Sequence, residues 1–229
     1  MIIAFLMLFS VHIFSSFGDG LYFSTMMGCS YSGKSPLNIS LNGQANQSFS
    51  AKYDNRCFDD SHWWSFRIEN WSNKTSVGFE IIHHKIYLVN TNDIIQKMGV
   101  SDGYNLLFLN FGKQFNDLNY RVGFGLVYGH MDISISGRDR YIKKGLSGHY
   151  LTGPAFQLNV EKLIWQSDAY FVSLDSKFTA AYAEIPVSSD YNELAHISDY
   201  AFHFSIAVGS KPLILSNNKT SNWNYFLPL

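Results

Sequence analysis

Charge is scarce in this chain: only 15% of its 229 residues are Asp, Glu, Lys or Arg, and the net charge is −1. No basic stripe occurs, which removes nucleic acid from the expected partners. Long apolar runs are missing too. Past the N-terminus no stretch of about 18 apolar residues appears, so a helical membrane protein is excluded. Cysteine is limited to Cys29 and Cys57, a number and spacing that do not make a zinc site. No Lys or Arg precedes the first apolar stretch, and the first basic residue is Lys34.

That stretch, residues 2–14, is followed by the small residues Ser15, Ser16 and Gly18. It reads as a secretory signal covering residues 1–18, and thirteen or so apolar residues are too few for a membrane anchor. The missing basic residue makes the signal atypical, or the start displaced.

What the chain has in quantity is aromatic side chains, 17% of residues, set on alternating positions. In 120–128, Tyr120, Val122, Phe124, Leu126 and Tyr128 share one face, and Arg121, Gly123, Gly125 and Val127 the other. In 168–183 the pattern repeats, with Tyr170, Val172, Leu174, Phe178 and Tyr182 opposing Ser173, Asp175, Lys177 and Thr179. In 200–208, Tyr200, Phe202, Phe204, Ile206 and Val208 oppose Ala201, His203, Ser205 and Ala207. Further strands are expected at 21–32, 63–71, 76–88, 102–115 and 152–162. Each is about long enough, at roughly 9–11 residues, to cross a bilayer when tilted. In 102–115 the run Leu106, Leu107, Phe108, Leu109 hides the two faces.

Connections alternate in length. Those at 72–75, 116–119 and 163–167 are short, while 33–62, 89–101, 137–147 and 186–196 are long. This is the rhythm of an all-β, eight-stranded, antiparallel up-and-down transmembrane β-barrel with tight turns in the periplasm and long loops outside. The expected domains are the signal (1–18), the barrel (19–210) and a C-terminal tail (211–229), and the expected address is a bacterial outer membrane. Cys29 and Cys57 then sit on the same rim, where a disulfide is sterically possible in an oxidising envelope, two free thiols being the alternative. A bridge closing about 28 residues would stabilise by roughly 3 kcal/mol.

Inward-facing polar residues fall into two tiers. The lower and middle lumen holds Arg67, Glu69, Glu80, Gln157, Asn159, Glu161, Asp175, Lys177 and His203, whose signs allow a charge-paired plug. The upper tier holds His83, His84 and Lys85, then Asp102 and Asn105, then His130 and Asp132. His130 and Asp132, two apart on one strand, share a face and suit a cation. His83 or His84 would add a ligand or act as general base. Strict alternation from Phe79 and Ile81 sends His83 and Lys85 outward, and a bulge near Ile82 would turn them inward.

These residues give the chain a resemblance to a family. The ordered segments are Phe49-Ser50-Ala51, Trp63-Trp64-Ser65-Phe66-Arg67, Val77-Gly78-Phe79-Glu80 with His83, Lys85 and Tyr87, and Asp102-Gly103-Tyr104-Asn105-Leu106-Leu107 with Asn110. They continue with His130-Met131-Asp132, Thr152-Gly153-Pro154-Ala155-Phe156-Gln157 and Asp175-Ser176-Lys177-Phe178-Thr179. Together they resemble the bacterial outer-membrane lipid A oxidases and related eight-stranded barrels. The resemblance implies oxidation of the proximal glucosamine of lipid A to an aminogluconate unit, with molecular oxygen as co-substrate and a divalent cation. On that reading His83, His130 and Asp132 hold the cation and Glu80 or His84 takes the hydroxyl proton. Lys85 and Lys177 engage phosphate or oxyanion, and Asp102 and Asn105 complete the catalytic set. Lipid A or lipopolysaccharide is the expected partner and a monomer the expected state. The rival is a non-enzymatic surface, adhesion or structural barrel. A deacylase, with Ser136 or Ser147 near His149, is a third class.

Overall fold

The computed structural model describes residues 17–59, 62–100, 103–142, 149–190 and 192–211. Most of the expected signal and of the tail, together with Asp102 and Ser147, lie outside the described residues. The described chain is all β. Its strands are β1 (Gly20–Ser32), β2 (Ser35–Ile39), β3 (Gln47–Ala51), β4 (Tyr53–Asp54), β5 (Trp64–Ser72), β6 (Thr75–His83), β7 (Ile86–Leu88), β8 (Ile95–Val100), β9 (Tyr104–Phe115), β10 (Leu118–His130), β11 (Asp132–Ile135), β12 (Tyr141–Ile142), β13 (His149–Gln166), β14 (Tyr170–Pro186) and β15 (Leu194–Ser210).

Eight of them close a ring in the order β1-β5-β6-β9-β10-β13-β14-β15, and β15 pairs back onto β1. Every pairing in the ring is antiparallel. Closure leaves no open edge in the wall, which is what a spanning sheet requires in hydrocarbon. At one end the links are tight. Asn73 and Lys74, both at positive φ (49° and 65°), join β5 to β6, and Asn116 (φ 55°) begins the turn from β9 to β10. Asn tolerates the left-handed region because its short amide bonds to local backbone.

The alternation holds as the sequence requires. Phe124 is 58% exposed and Phe204 52%, on the outside of the ring, whereas Arg67 is 2% and Glu80 0%, inside. The ambiguous strand resolves as well. In β9, Leu106 and Phe108 are fully buried in the interior while Leu109 and Phe111 face out. Two bulges interrupt the ring: the register of β10 against β13 slips between Leu126 and Val127, opposite Gly153, and that of β13 against β14 slips between Leu163 and Trp165. Gly153 sits at φ 55°, and a Cβ there would lie 1.7 Å from the Tyr182 carbonyl oxygen. Only glycine fits that approach.

The interior is filled in three layers. At the turn end Phe17, Tyr22, Trp71, Leu163 and Phe171 pack together. The middle holds the paired charges described below. At the loop end, inward residues such as Met26, Ile82, Leu106, Phe108 and Val127 join an apolar core that continues upward.

That continuation is a folded cap, and periodicity in the barrel strands gave no sign of it. The β2–β3 hairpin extends the wall from β15 through Leu37 opposite Ile197. A separate sheet in the order β12-β11-β8-β7-β4 lies across the loops, and Ile95, Met98, Val100, Ile133 and Ile135 bury their side chains in the core. The expected third strand, 76–88, is therefore two: the chain leaves the barrel after His83 and re-enters a sheet at Ile86 as part of the cap. Cys29 and Cys57 form a disulfide with a Cα separation of 5.0 Å, inside the usual span, and fasten the cap to β1.

Candidate functional site

The expected upper-tier cluster separates into distinct environments, each set by which face of a strand a residue occupies. Glu80 and Lys177 belong to the plug. Glu80 accepts from Ser65 Oγ (2.7 Å), Arg67 Nε (3.2 Å), Asn110 Nδ2 (2.9 Å) and Gln157 Nε2 (3.0 Å). Lys177 lies 3.3 Å from Glu80 and also pairs with Asp175. Arg67 reaches Asp175 at 2.9 Å and Glu161 at 3.7 Å. Below it, Arg121 bridges Glu69 and Glu161, both at 2.7 Å. Three cations thus face four carboxylates, all buried. Charges held this way are mutually satisfied and structural. As catalytic groups Glu80 and Lys177 are misplaced: they lie in the filled middle of the lumen, away from the rim.

His84 also turns inward, as its parity with Glu80 demanded. Its Nε2 lies 2.9 Å from Asp199 Oδ2, and its Nδ1 lies 3.1 Å from Ser30 Oγ. Because a carboxylate only accepts, Nε2 carries the proton and Nδ1 receives the hydroxyl of Ser30. Alongside, Trp63 Nε1 donates to His203 Nδ1 (3.1 Å), and His203 Nε2 meets Thr179 Oγ1 (2.8 Å). The order Ser–His–Asp resembles a hydrolytic relay, but His84 and Asp199 are fully buried and Ser30 nearly so. The network ties β1, β14, β15 and the 84–85 segment together beneath the cap. Ser30, within the expected first strand, carried no signal of its own, and Asp199 was missed from sequence because the last strand was begun at Tyr200. Extending its inward parity by one step, from Ala201 to Asp199, finds the carboxylate.

Lys85 leaves the strand altogether. Its Nζ donates to the Asp59 carbonyl oxygen at 2.6 Å and sits above the Tyr87 ring, buried rather than directed at headgroups.

Asp132 is held in the cap. It accepts two bonds from Arg140, both 2.6 Å, and one from Lys97 at 2.7 Å. Burial pushes the Asp132 carboxyl up, but these hydrogen bonds and charges outweigh it and hold the group below the ordinary carboxylate range. His130 is buried against His149, with ring centroids 5.1 Å apart. Among the described residues no group of three or more His, Cys, Asp or Glu side chains is placed to hold a metal ion. The donor set expected for a cation, His83, His130 and Asp132, is therefore not assembled, because Asp132 is turned to two cations and His83 faces the other way.

His83 lies on the outward face of β6, as strict alternation predicted without a bulge, but its side chain is covered there and only 6% exposed. Its ring stacks on Trp64 with centroids 5.3 Å apart and planes 10° from parallel. Asn105 Nδ2 donates to the Tyr128 carbonyl (3.2 Å), which orients the amide so that Oδ1 accepts from His83 Nδ1 (2.8 Å). Tyr128 in turn stacks with His149 at 4.8 Å. Trp64 pairs with His83, Asn105 with Tyr128 and Tyr128 with Leu151 across neighbouring strands, and the His83–Asn105 hydrogen bond joins β6 to β9. With Ile81 and Leu107 they line a cleft of about 580 Å³ in the outer wall, near the loop end. Two residues expected in the site, His83 and Asn105, thus meet on the lipid side of the wall.

No family model matches the chain, and no curated protein matches it. Solved structures do resemble it. The outer membrane protein AlkL, studied in lipid bilayers, is 15% identical, with 90% of this chain and 96% of that chain covered and a TM-score of 0.48. OprG from Pseudomonas aeruginosa is 11% identical over 85% and 97%, with a TM-score of 0.45. Ail of Yersinia pestis, in complex with a heparin analogue, is 8% identical over 84% and 99%, at 0.43. These similarities concern the barrel alone; the assignment rests on the closed ring, its apolar exterior and its short-turn and long-loop ends. The chain is an outer-membrane β-barrel. Its apolar exterior, polar middle lumen and sidedness accord with that placement.

Proposed function

We propose that the protein is a sealed surface barrel, acting as a monomer through its cap and outer wall rather than through its lumen. The observation that carries this is the filled interior: an aromatic layer, a plug of paired charges and an apolar core stacked from turn end to loop end. A solute pathway needs polar, hydrated space, and the described lumen is occupied by side chains bonded to one another. The loops support a binding role because they are folded into sheets. Arg138 Nη1 donates to both carboxylate oxygens of Glu193 (2.7 and 2.8 Å) and Nη2 donates to the Asn42 carbonyl, tying three of the loops together. A rigid platform loses little entropy when a partner docks. The test is conductance of the purified barrel in planar bilayers. Silence is expected, and stable unitary currents would overturn the reading.

Lipid A oxidation is the second reading. It is favoured by one feature, the pair His83 and Asn105 opening on the leaflet that carries lipid A. There His83 is, among the described residues of the expected set, the one acid–base group that meets the wall, and Asn105 fixes its ring. The residues present do not form the cation's ligand set, so no step is drawn through a metal. Mass spectrometry of lipid A from cells with and without the protein decides it. On this reading lipid A gains one oxygen on its proximal sugar, with molecular oxygen as the oxidant; unchanged lipid A beside folded protein removes the reading.

A further inference from the structure

We infer that the outer-wall cleft is a built site for one acyl chain of an outer-leaflet lipid, with the carbonyl-bearing end of that chain at the His83–Asn105 pair. The inference rests on the barrel's outer wall and is independent of any oxidation.

The cleft lies in the surface that already meets hydrocarbon, so a lipid chain is the occupant its position supplies. Sidedness selects the leaflet. His83 is the last residue of β6, and Asn105 lies one residue into β9, so both stand at the loop end of the wall, which faces outward. Ile81 and Leu107 sit opposite each other on β6 and β9, one pleat closer to the turn end. Polar groups therefore stand above an apolar floor, matching an ester or amide carbonyl above methylenes. The flanks are stiff: the Trp64–His83 stack on one side and the Tyr128–His149 stack on the other. A volume of about 580 Å³ lies within the ~300–1,000 Å³ of small-ligand sites.

On β15, diametrically across the ring, Phe202, Phe204 and Ile206 project at 52–54% exposure, offering chains a convex surface. Apolar contact alone does not distinguish the two walls, since a chain leaving bulk lipid gains no hydrophobic free energy. Shape and the polar pair must do so. The Asn105 amide has a second N–H beyond the bond to the Tyr128 carbonyl, and that proton is the donor a lipid carbonyl would use.

The test uses the protein in phosphatidylcholine nanodiscs doped with a phosphatidylcholine bearing a diazirine on its acyl chain. After photolysis, adducts are mapped by mass spectrometry. Labelling at Ile81, Leu107 and Leu151 should exceed that at Phe204 and Ile206 several-fold. Leu107→Trp, which fills the floor, should bring it down to the level of the β15 wall. Asn105→Leu should reduce it while heat-modifiable gel mobility shows the barrel intact. Equal labelling around the ring, or a yield unchanged by Leu107→Trp, would overturn the site. Absence of label on Phe204 and Ile206 would instead contradict the barrel's orientation.

Discussion

Replacing Arg67 with Met is the most informative single change to the plug. The side chains are similar in length, so the wall and neighbouring packing are kept while the charge is removed. Arg67 faces Glu80, Asp175 and Glu161 at 3.2, 2.9 and 3.7 Å. Its loss leaves two cations, Arg121 and Lys177, against four carboxylates in a buried interior. Removing one partner of a buried pair costs about 3–5 kcal/mol, and a cation serving three carboxylates belongs at the upper end. Glu80→Gln acts on the same network with the opposite arithmetic: three cations remain against three carboxylates. It forfeits charge-assisted bonds but improves the balance, so about 1–3 kcal/mol is expected. The assay is urea unfolding in micelles, followed by Trp fluorescence and by mobility of unboiled samples. With an m-value near 2 kcal/mol/M, Arg67→Met should lower the midpoint by about 2 M and Glu80→Gln by roughly half as much. If Glu80→Gln proves the more costly, or if both shift the midpoint by less than about 0.3 M, corresponding to under ~0.6 kcal/mol, the plug is hydrated and the reasoning fails.

Three further outcomes follow from the cap and its fastenings. Reduction and alkylation should add mass at Cys29 and Cys57, and Cys57→Ser should cost about 3 kcal/mol by releasing a 28-residue loop; an unchanged unfolding midpoint would contradict this. Because the Asp132 carboxyl is held below its ordinary value, its contribution is present above the unfolded value of about 3.9 and is lost as pH falls through the lowered folded value. Hydrogen-exchange protection in β11 and β12, relative to the intrinsic rate at each pH, should therefore fall at acid pH, and Asp132→Asn should show that reduced protection already at pH 7. Gly153→Ala, which drives a Cβ into the Tyr182 carbonyl, should reduce the yield of heat-modifiable barrel; folding at the native level would show that the bulge is pliable.

Much of the barrel was legible because a two-residue period survives wherever one face meets lipid and the other a polar lumen. Glu80, Asp175, Lys177 and His203 could be placed inward from parity alone, and His83 outward. The pattern failed where that contrast fails. In β9, Leu106 and Phe108 look into an apolar core rather than a polar lumen, so both faces are greasy and alternation carries no information. The cap was illegible for another reason. Its strands are as short as two residues, and they pair with partners from other loops, as Asp132 does with Gly99. Such long-range pairing leaves no local period. The scattering of the expected site follows from the cap: Lys85 and Asp132 were assigned to the barrel rim, but both are committed to cap contacts.

The claim beneath all of this is that large apolar side chains point into lipid and the lumen is filled. Spin labels placed singly from Tyr200 to Val208 on β15, in the reconstituted protein, test it directly. Labels at 202, 204 and 206 should be relaxed strongly by oxygen and weakly by a water-soluble nickel chelate, and labels at 203 and 205 should respond little to either. A loss of the two-residue period, or strong nickel accessibility at 203 and 205, would contradict the account.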